Sequence, residues 1–168
     1  MVVVDKPGGE SGASADAAVT TTAGAALAVL TADCAPIGLA SPEGVAGVVH
    51  AGWRGLRAGV VQATVTAMRR LGATRVEAVL GPCIHPCCYS FGDDDLFAIA
   101  SRLGDKVRSR DSEGRPALDV PAAVRSAVHA AGADLVGDAD KCTGCSTDFW
   151  SWRKRAAQHR QATIVWRP

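Results

Sequence analysis

Two short blocks of the sequence end in side chains that could carry out chemistry together. One block, Thr31-Ala32-Asp33-Cys34, follows a strand-like apolar run, and the other, Val48 to Gly55, contains His50. Between them, Ser41-Pro42-Glu43-Gly44 predicts a tight hairpin turn, because Pro early and Gly last suit such a turn. Positions that pair across this hairpin should have numbers summing to about 85, which places Cys34 next to His50. The two side chains share a face only if the register or a bulge lowers that sum by one.

A thiolate beside an imidazole has two common uses in enzymes. The two groups can both be ligands of zinc or copper. They can also be a nucleophile and its general base. A buried cysteine packed against a core histidine is the alternative without chemistry, and Cys34 and His50 alone leave all three interpretations open.

The residues that follow His50 favour a ligand site. Apolar spacing predicts a helix from Trp53 to Leu71, and Gly72 ends the run. Free backbone N–H groups at the helix start and the Arg54 guanidinium both suit a phosphate or carboxylate. The alternative is that Trp53 packs in the core and Arg54 pairs with a surface carboxylate.

The remaining cysteines form two further groups. Four residues that can bind metal fall within six positions of one loop: Cys83, His85, Cys87 and Cys88. A closed four-ligand site from one tight loop is rare, so we expect this loop to line the first site, with a structural second metal as the alternative. For the pair in Cys142-Thr143-Gly144-Cys145, a zinc half-site, a redox pair and chance all remain open.

Composition limits the class of protein. The chain has 168 residues, of which 48% are hydrophobic and 21% charged, with a net charge of +1. This balance gives no reason to expect a nucleic acid or an anionic membrane as partner. Because no apolar run reaches the roughly 18 residues of a membrane span and no signal peptide is recognised, we expect a cytoplasmic protein with reduced cysteines.

The order of strand-like and helical runs predicts one domain over residues 1–168, of α/β (α+β) class with antiparallel pairing. The clearest expected strands are Ala17–Thr20, Ala25–Ala32, Val45–His50, Val76–Leu80 and Ala162–Trp166. Two further helices are expected at Asp93–Leu103 and Val120–Ala131, the second with Asp119 as its N-cap.

Taken together, these blocks resemble the signature of the YfiH-type family. That family has been called both a multicopper polyphenol oxidase (laccase-domain) family and a purine nucleoside phosphorylase family. The similarity lies in Thr31–Cys34, Val49–Gly55, Gly81–Ile84, Cys88-Tyr89, Asp119, Cys142-Thr143 and Phe149–Arg153, and it extends over nearly the whole chain.

The resemblance implies a layered sandwich of a mixed sheet with flanking helices. It also implies one zinc ion held by two His and one Cys, with Cys34 and His50 matching two of these ligands. Copper is the alternative metal, although multicopper chemistry needs many more than the four His present.

The activities that the resemblance implies are phosphorolysis of adenosine, inosine and methylthioadenosine, and deamination of adenosine. The partners would be small molecules, a purine nucleoside and phosphate. Arg54 would then hold an oxyanion. Asp33 would orient a ligand, handle protons or cap a turn.

One feature of the family pattern is not found in this sequence. The family's first zinc-binding His lies in a Gln-Val-His-Gly block upstream of the Thr-Ala-Asp-Cys block, whereas no His precedes His50 here. We therefore expect an N-terminally shortened chain with an exposed sheet edge that favours a homodimer. His85 could substitute for the missing ligand. The rival functions are a metal-free hydrolase with Cys34 as nucleophile, a peptidoglycan-precursor editing enzyme, a copper polyphenol oxidase, and an incomplete, non-catalytic chain.

Overall fold

The computed structural model describes residues 1–168, which form ten strands and five α-helices. The strands are β1 (Val2–Val4), β2 (Ala17–Thr20), β3 (Ala26–Thr31), β4 (Ala35–Ala40), β5 (Ala46–Ala51), β6 (Glu77–Leu80), β7 (Arg108–Arg110), β8 (Pro116–Leu118), β9 (Asp134–Asp138) and β10 (Gln161–Trp166). The helices are α1 (Trp53–Ala58), α2 (Val60–Arg70), α3 (Asp93–Leu103), α4 (Val120–Ala130) and α5 (Trp152–Arg155). None of these helices is long and apolar enough to cross a membrane.

A six-stranded mixed sheet forms the middle layer, in the order β1-β2-β5-β4-β6-β9. The two outer pairs, β1 with β2 and β6 with β9, are parallel, and the three inner pairs are antiparallel. The antiparallel pair of β3 and β10 packs on one face of this sheet, where Leu27 and Val29 are buried against Val48. The helices pack on the other face over a larger apolar core that includes Ile37 and Met68. This layered arrangement confirms the predicted α/β (α+β) class.

The predicted hairpin is present, but its register differs from the expected one. Strands β4 and β5 pair so that Ala40 faces Ala46 and Pro36 faces His50. The loop between them has five residues, closed by a hydrogen bond from the Ser41 N–H to the Val45 carbonyl. Because the five-residue loop is centred on Glu43, the numbers of paired residues sum to 86, and the residue opposite His50 is Pro36 rather than Cys34.

The single long helix predicted from Trp53 to Leu71 is two helices. Gly59 ends α1 and caps α2 with φ +89°, a left-handed conformation that glycine adopts at little cost. The break limits α1 to six residues. The predicted cap of α4 is confirmed, since the Asp119 carboxylate accepts a hydrogen bond from the Ala122 N–H at 2.8 Å.

Candidate functional site

Cys34 and His50 converge although they are not directly opposite. Since His50 faces Pro36, Cys34 lies two positions further along, which puts both side chains on one face in a diagonal relationship. A Cβ atom at Gly52 would lie 3.3 Å from the Cys34 Sγ and 3.6 Å from the His50 Cε1. The two side chains therefore meet over a glycine, where a larger residue would crowd them.

Asp16 orients the His50 ring. Its Oδ1 atom lies 2.9 Å from the His50 Nδ1, so the other ring nitrogen is free for a second partner. A hydrogen bond with Cys34 raises the pKa of His50 to about 9; burial opposes this shift, and the Asp16 carboxylate adds to it. The sequence pattern gave no reason to select Asp16, because it lies in a small polar loop.

Asp33 faces a different segment of the chain. It is 7% exposed, and its two carboxylate oxygens accept hydrogen bonds from the Thr143 hydroxyl and the Arg153 N–H, each at 2.7 Å. Its backbone has φ +89°, which is uncommon for a residue other than glycine. These contacts support a positioning role, in which Asp33 holds the C-terminal segment beside Cys34.

Arg54 is exposed at the start of α1 and forms no salt bridge. Its guanidinium carbon lies 4.5 Å from the centre of the Trp53 ring, and Trp53 itself packs edge-on against Phe91. Of the alternative interpretation, the packing of Trp53 against the core is found, whereas the surface carboxylate partner of Arg54 is not. With only six residues, α1 adds little dipole to an anion site, so the Arg54 side chain would supply most of the attraction.

Two further side chains near Cys34, Tyr89 and Arg153, were not selected from the sequence. Tyr89 lines a small cavity of about 30 Å³ together with Cys34 and Gly52. The guanidinium carbon of Arg153 lies 4.7 Å from the centre of the Tyr89 ring. Burial raises the pKa of Tyr89, although Arg153 opposes the shift. Both residues lie in sequence blocks that resemble the family signature, and this resemblance could have identified them as candidate site residues.

His50 also lines a larger cavity. It has a volume of about 530 Å³ and lies between the N-terminal loop and strands β1 to β3, with His50 at its edge. Its wall is mostly apolar, with Ala17, Leu27 and Val29 among the lining residues. This volume falls within the range of small-molecule sites.

The Cys34 sulfur and the His50 nitrogen suit zinc as a ligand pair. A histidine that ligates a metal through one nitrogen usually bonds a carboxylate or carbonyl through the other, as His50 does with Asp16. No third His, Cys, Asp or Glu side chain lies close to both, whereas catalytic zinc usually has three protein ligands. The residues present therefore fit two of the three positions.

The second cysteine group differs from the expected one. The His85 side chain joins no group of potential metal ligands, and Cys83 is buried in the core, where burial raises its pKa. Cys87 and Cys88 instead meet the CxxC pair, Cys142 and Cys145. Ile84 and Tyr89 of the same loop line the small cavity beside Cys34. This agrees with the expectation that the loop lines the first site.

The chain is similar to several known proteins. It is 40% identical to a purine nucleoside phosphorylase of Streptomyces coelicolor, over 99% of this chain and 70% of that protein. It is 38% identical to adenosine deaminase RL5 of an unknown prokaryotic organism, over 83% of this chain and 56% of that protein. Among solved structures, YlmD from Geobacillus stearothermophilus superposes with a TM-score of 0.86 at 28% identity, over 99% of this chain and 69% of that one.

The family comparison covers all 168 residues. The model of the family described as multi-copper polyphenol oxidoreductase laccase matches residues 1–168. The match includes both the Cys34–His50 pair and the four-cysteine group. The chain belongs to this multi-copper polyphenol oxidoreductase laccase family, the YfiH-type family that its sequence blocks resemble.

Proposed function

We propose that this protein is a zinc-dependent purine nucleoside enzyme. Its reactions would be phosphorolysis of adenosine, inosine or methylthioadenosine, and deamination of adenosine. The observation that carries the proposal is the convergence of Cys34 and His50 over Gly52, with Asp16 on the second ring nitrogen. Relatives named purine nucleoside phosphorylase and adenosine deaminase support the substrate class.

Cys34 and His50 would hold the ion, and Asp16 would keep the imidazole in the orientation that ligation requires. A zinc ion in this position supplies an activated water or polarises a substrate group. Because the protein ligands number two, the remaining positions are open to substrate or to a further ligand.

The substrate would lie in the larger cavity, which His50 lines, and extend towards Cys34 and Tyr89. The apolar wall formed by Leu27 and Val29 suits the face of a purine, and the volume of about 530 Å³ admits a nucleoside. Tyr89 keeps its phenolic proton at neutral pH, since the ordinary pKa of tyrosine is about 10 and burial raises the pKa of Tyr89 further. It can therefore donate a hydrogen bond to a substrate oxygen or nitrogen.

The two reactions differ in what attacks the substrate. In deamination, water adds to the purine carbon that bears the amino group, and ammonia leaves. In phosphorolysis, phosphate attacks the ribose carbon that bears the base, and the bond to the base breaks. Arg54, exposed and without a carboxylate partner, would bind the phosphate in the second reaction.

A Cys–His hydrolase is the second candidate. His50 contacts Cys34 on one side and Asp16 on the other. A nucleophile, its base and the residue that orients the base have the same arrangement. Iodoacetamide at neutral pH separates the two functions. A free thiolate at Cys34 would be alkylated with or without zinc, whereas zinc would protect a ligating thiolate.

Two substitutions test the proposed function. We expect Cys34→Ala and His50→Ala each to remove metal from this pair and to abolish product formation from adenosine with phosphate. Cys83→Ala is the matched control, because Cys83 is a core thiol outside the site. Full activity in either site variant would contradict the assignment. The cytoplasmic location and the homodimer stay predictions.

A further inference from the structure

Four cysteine side chains from two separate segments meet at one point. Cys87 and Cys88 lie in a 3₁₀ turn at Pro86–Cys88, and Cys142 and Cys145 lie in the CxxC loop before α5. All four Sγ atoms are within 4.8 Å of one another. Cysteines about 55 residues apart in sequence are thus brought together only by the fold.

The spacing of the sulfur atoms matches a tetrahedral metal site. The Cys87 Sγ lies 3.8 Å from Cys88, 3.9 Å from Cys142 and 3.4 Å from Cys145, and Cys88 lies 3.4 Å from Cys145. Zinc–sulfur bonds of about 2.3 Å in a tetrahedron separate the sulfurs by about 3.8 Å. A disulfide needs about 2.05 Å, and all four cysteines are free.

Backbone N–H groups point at the sulfur of Cys142. The His85 N–H donates to the Cys142 sulfur at 3.3 Å, and the N–H groups of Gly144 and Cys145 also face it. Backbone N–H groups that point at a sulfur stabilise its thiolate form, which is the form that ligates a metal.

A second observation concerns the close packing around the sulfurs. A Cβ atom at Gly144 would lie 2.6 Å from the Cys88 Cβ and 2.8 Å from its sulfur, so only glycine allows this approach. The Arg155 guanidinium donates to the carbonyl oxygens of Thr143, Gly144, Ser146 and Phe149. These four hydrogen bonds fix the loop that carries Cys142 and Cys145.

We propose that Cys87, Cys88, Cys142 and Cys145 form a structural zinc site separate from the Cys34–His50 pair. Four protein ligands leave no open position, which is typical of structural rather than catalytic zinc. Four sulfur ligands in a tetrahedron select zinc over copper(II) or magnesium.

The zinc would join two segments that both reach the candidate active site. Tyr89 directly follows Cys88, and Arg153 lies eight residues after Cys145. Asp33 already binds the second segment through Thr143 and Arg153. The four-cysteine site would add a link between the two segments, and loss of its metal should loosen both.

Cobalt substitution tests this site in the full chain. We would add Co²⁺ without oxygen to the reduced Cys34→Ala/His50→Ala double variant, so that the first site contributes no signal. We expect one equivalent to bind, with the sulfur-to-cobalt charge-transfer and intense visible bands of a tetrahedral tetrathiolate, and Zn²⁺ to displace it. Adding Cys145→Ser should remove about a quarter of the charge-transfer intensity, because one of four thiolates is lost. Adding Cys83→Ala should change nothing.

Three results would overturn the proposal. These are the absence of cobalt bands in the double variant, bands that Cys145→Ser leaves unchanged, and a disulfide among the four cysteines in protein purified with zinc. Iron in place of zinc, measured by native mass spectrometry, would contradict the choice of metal. If Cys145→Ser does not fold, Cys145→His keeps four ligands and should shift the bands to those of a three-sulfur, one-nitrogen site.

Discussion

The Oδ1 atom of Asp16 lies 2.9 Å from the Nδ1 atom of His50, which is 34 residues later in the sequence. The contact crosses from the loop before β2 to the end of β5, and it determines which ring nitrogen of His50 can face Cys34. A carboxylate in this position serves both a zinc-ligating histidine and a histidine that acts as a base.

Asp16→Asn should weaken zinc binding and turnover together, without unfolding the protein. Removal of such a carboxylate typically costs 10- to 100-fold, and we expect about tenfold because Asp16 is largely exposed. Zinc affinity of the Cys34–His50 pair would be measured by competition with a chromophoric chelator, as the binding that the Cys34→Ala/His50→Ala variant lacks, and kcat and KM with adenosine as substrate. Asp94→Asn, at an exposed position of α3, is the control. Equal zinc affinity in Asp16→Asn and the native protein would contradict this role.

Asp33→Ala should destabilise the protein. The change leaves the buried Thr143 hydroxyl and the Arg153 N–H without their acceptor, which costs about 2 to 4 kcal/mol of unfolding free energy. Urea denaturation measures the loss. Asp33→Asn tolerates the left-handed backbone and keeps one acceptor, so its loss should be smaller. Equal losses in the two variants would show that the hydrogen bonds do not account for the effect.

Asp111 should make stability depend on acid pH. Its side chain is buried in the turn between β7 and β8 and accepts hydrogen bonds from the N–H groups of Glu113 and Arg115 and from the Arg115 guanidinium. Burial alone would raise the pKa of Asp111, but these hydrogen bonds together hold it below its ordinary value. Since the folded pKa is the lower one, the stabilisation is present above the unfolded pKa of about 3.9 and is lost as the pH falls.

Thermal unfolding of Asp111→Asn across pH measures this contribution. The variant should have a lower Tm than the native protein at pH 7. The difference should shrink below about pH 4, where Asp111 of the unfolded chain gains a proton, and should be lost once the folded carboxylate is protonated too. Asp105→Asn, which loses only an exposed ion pair with Arg108, should show almost no difference at either pH. A difference for Asp111→Asn that stays constant down to low pH would contradict the explanation.

The sequence predicted the positions of the strands and helices better than the strand register and the breaks between helices. Alternating and helical spacing located β2, β3, β5, α3 and α4, because burial of one face imposes those periods on the chain. The β4–β5 register was not predicted correctly. It depends on a five-residue loop in which Gly44 adopts a left-handed conformation. The break at Gly59 was not predicted either. A single glycine within a helical pattern is often tolerated, so Gly59 alone did not indicate that the helix ends there.

The candidate site could be predicted only where the sequence blocks lie close together. Cys34 and His50 share one hairpin, so their approach followed from the turn. Asp16 and Arg153 come from distant segments, and no local spacing points to them. The same holds for the four-cysteine group, since a pairing of Cys87 with Cys142 is a tertiary contact.

Product analysis tests the central claim most directly. The zinc-loaded chain would be incubated with adenosine and phosphate, with and without a chelator, and the products separated by chromatography. We predict adenine with ribose 1-phosphate, or inosine with ammonia, in the absence of chelator only. Product formation that the chelator does not affect would contradict the zinc-dependent mechanism, and no product from adenosine, inosine or methylthioadenosine would contradict the purine nucleoside activity of this chain.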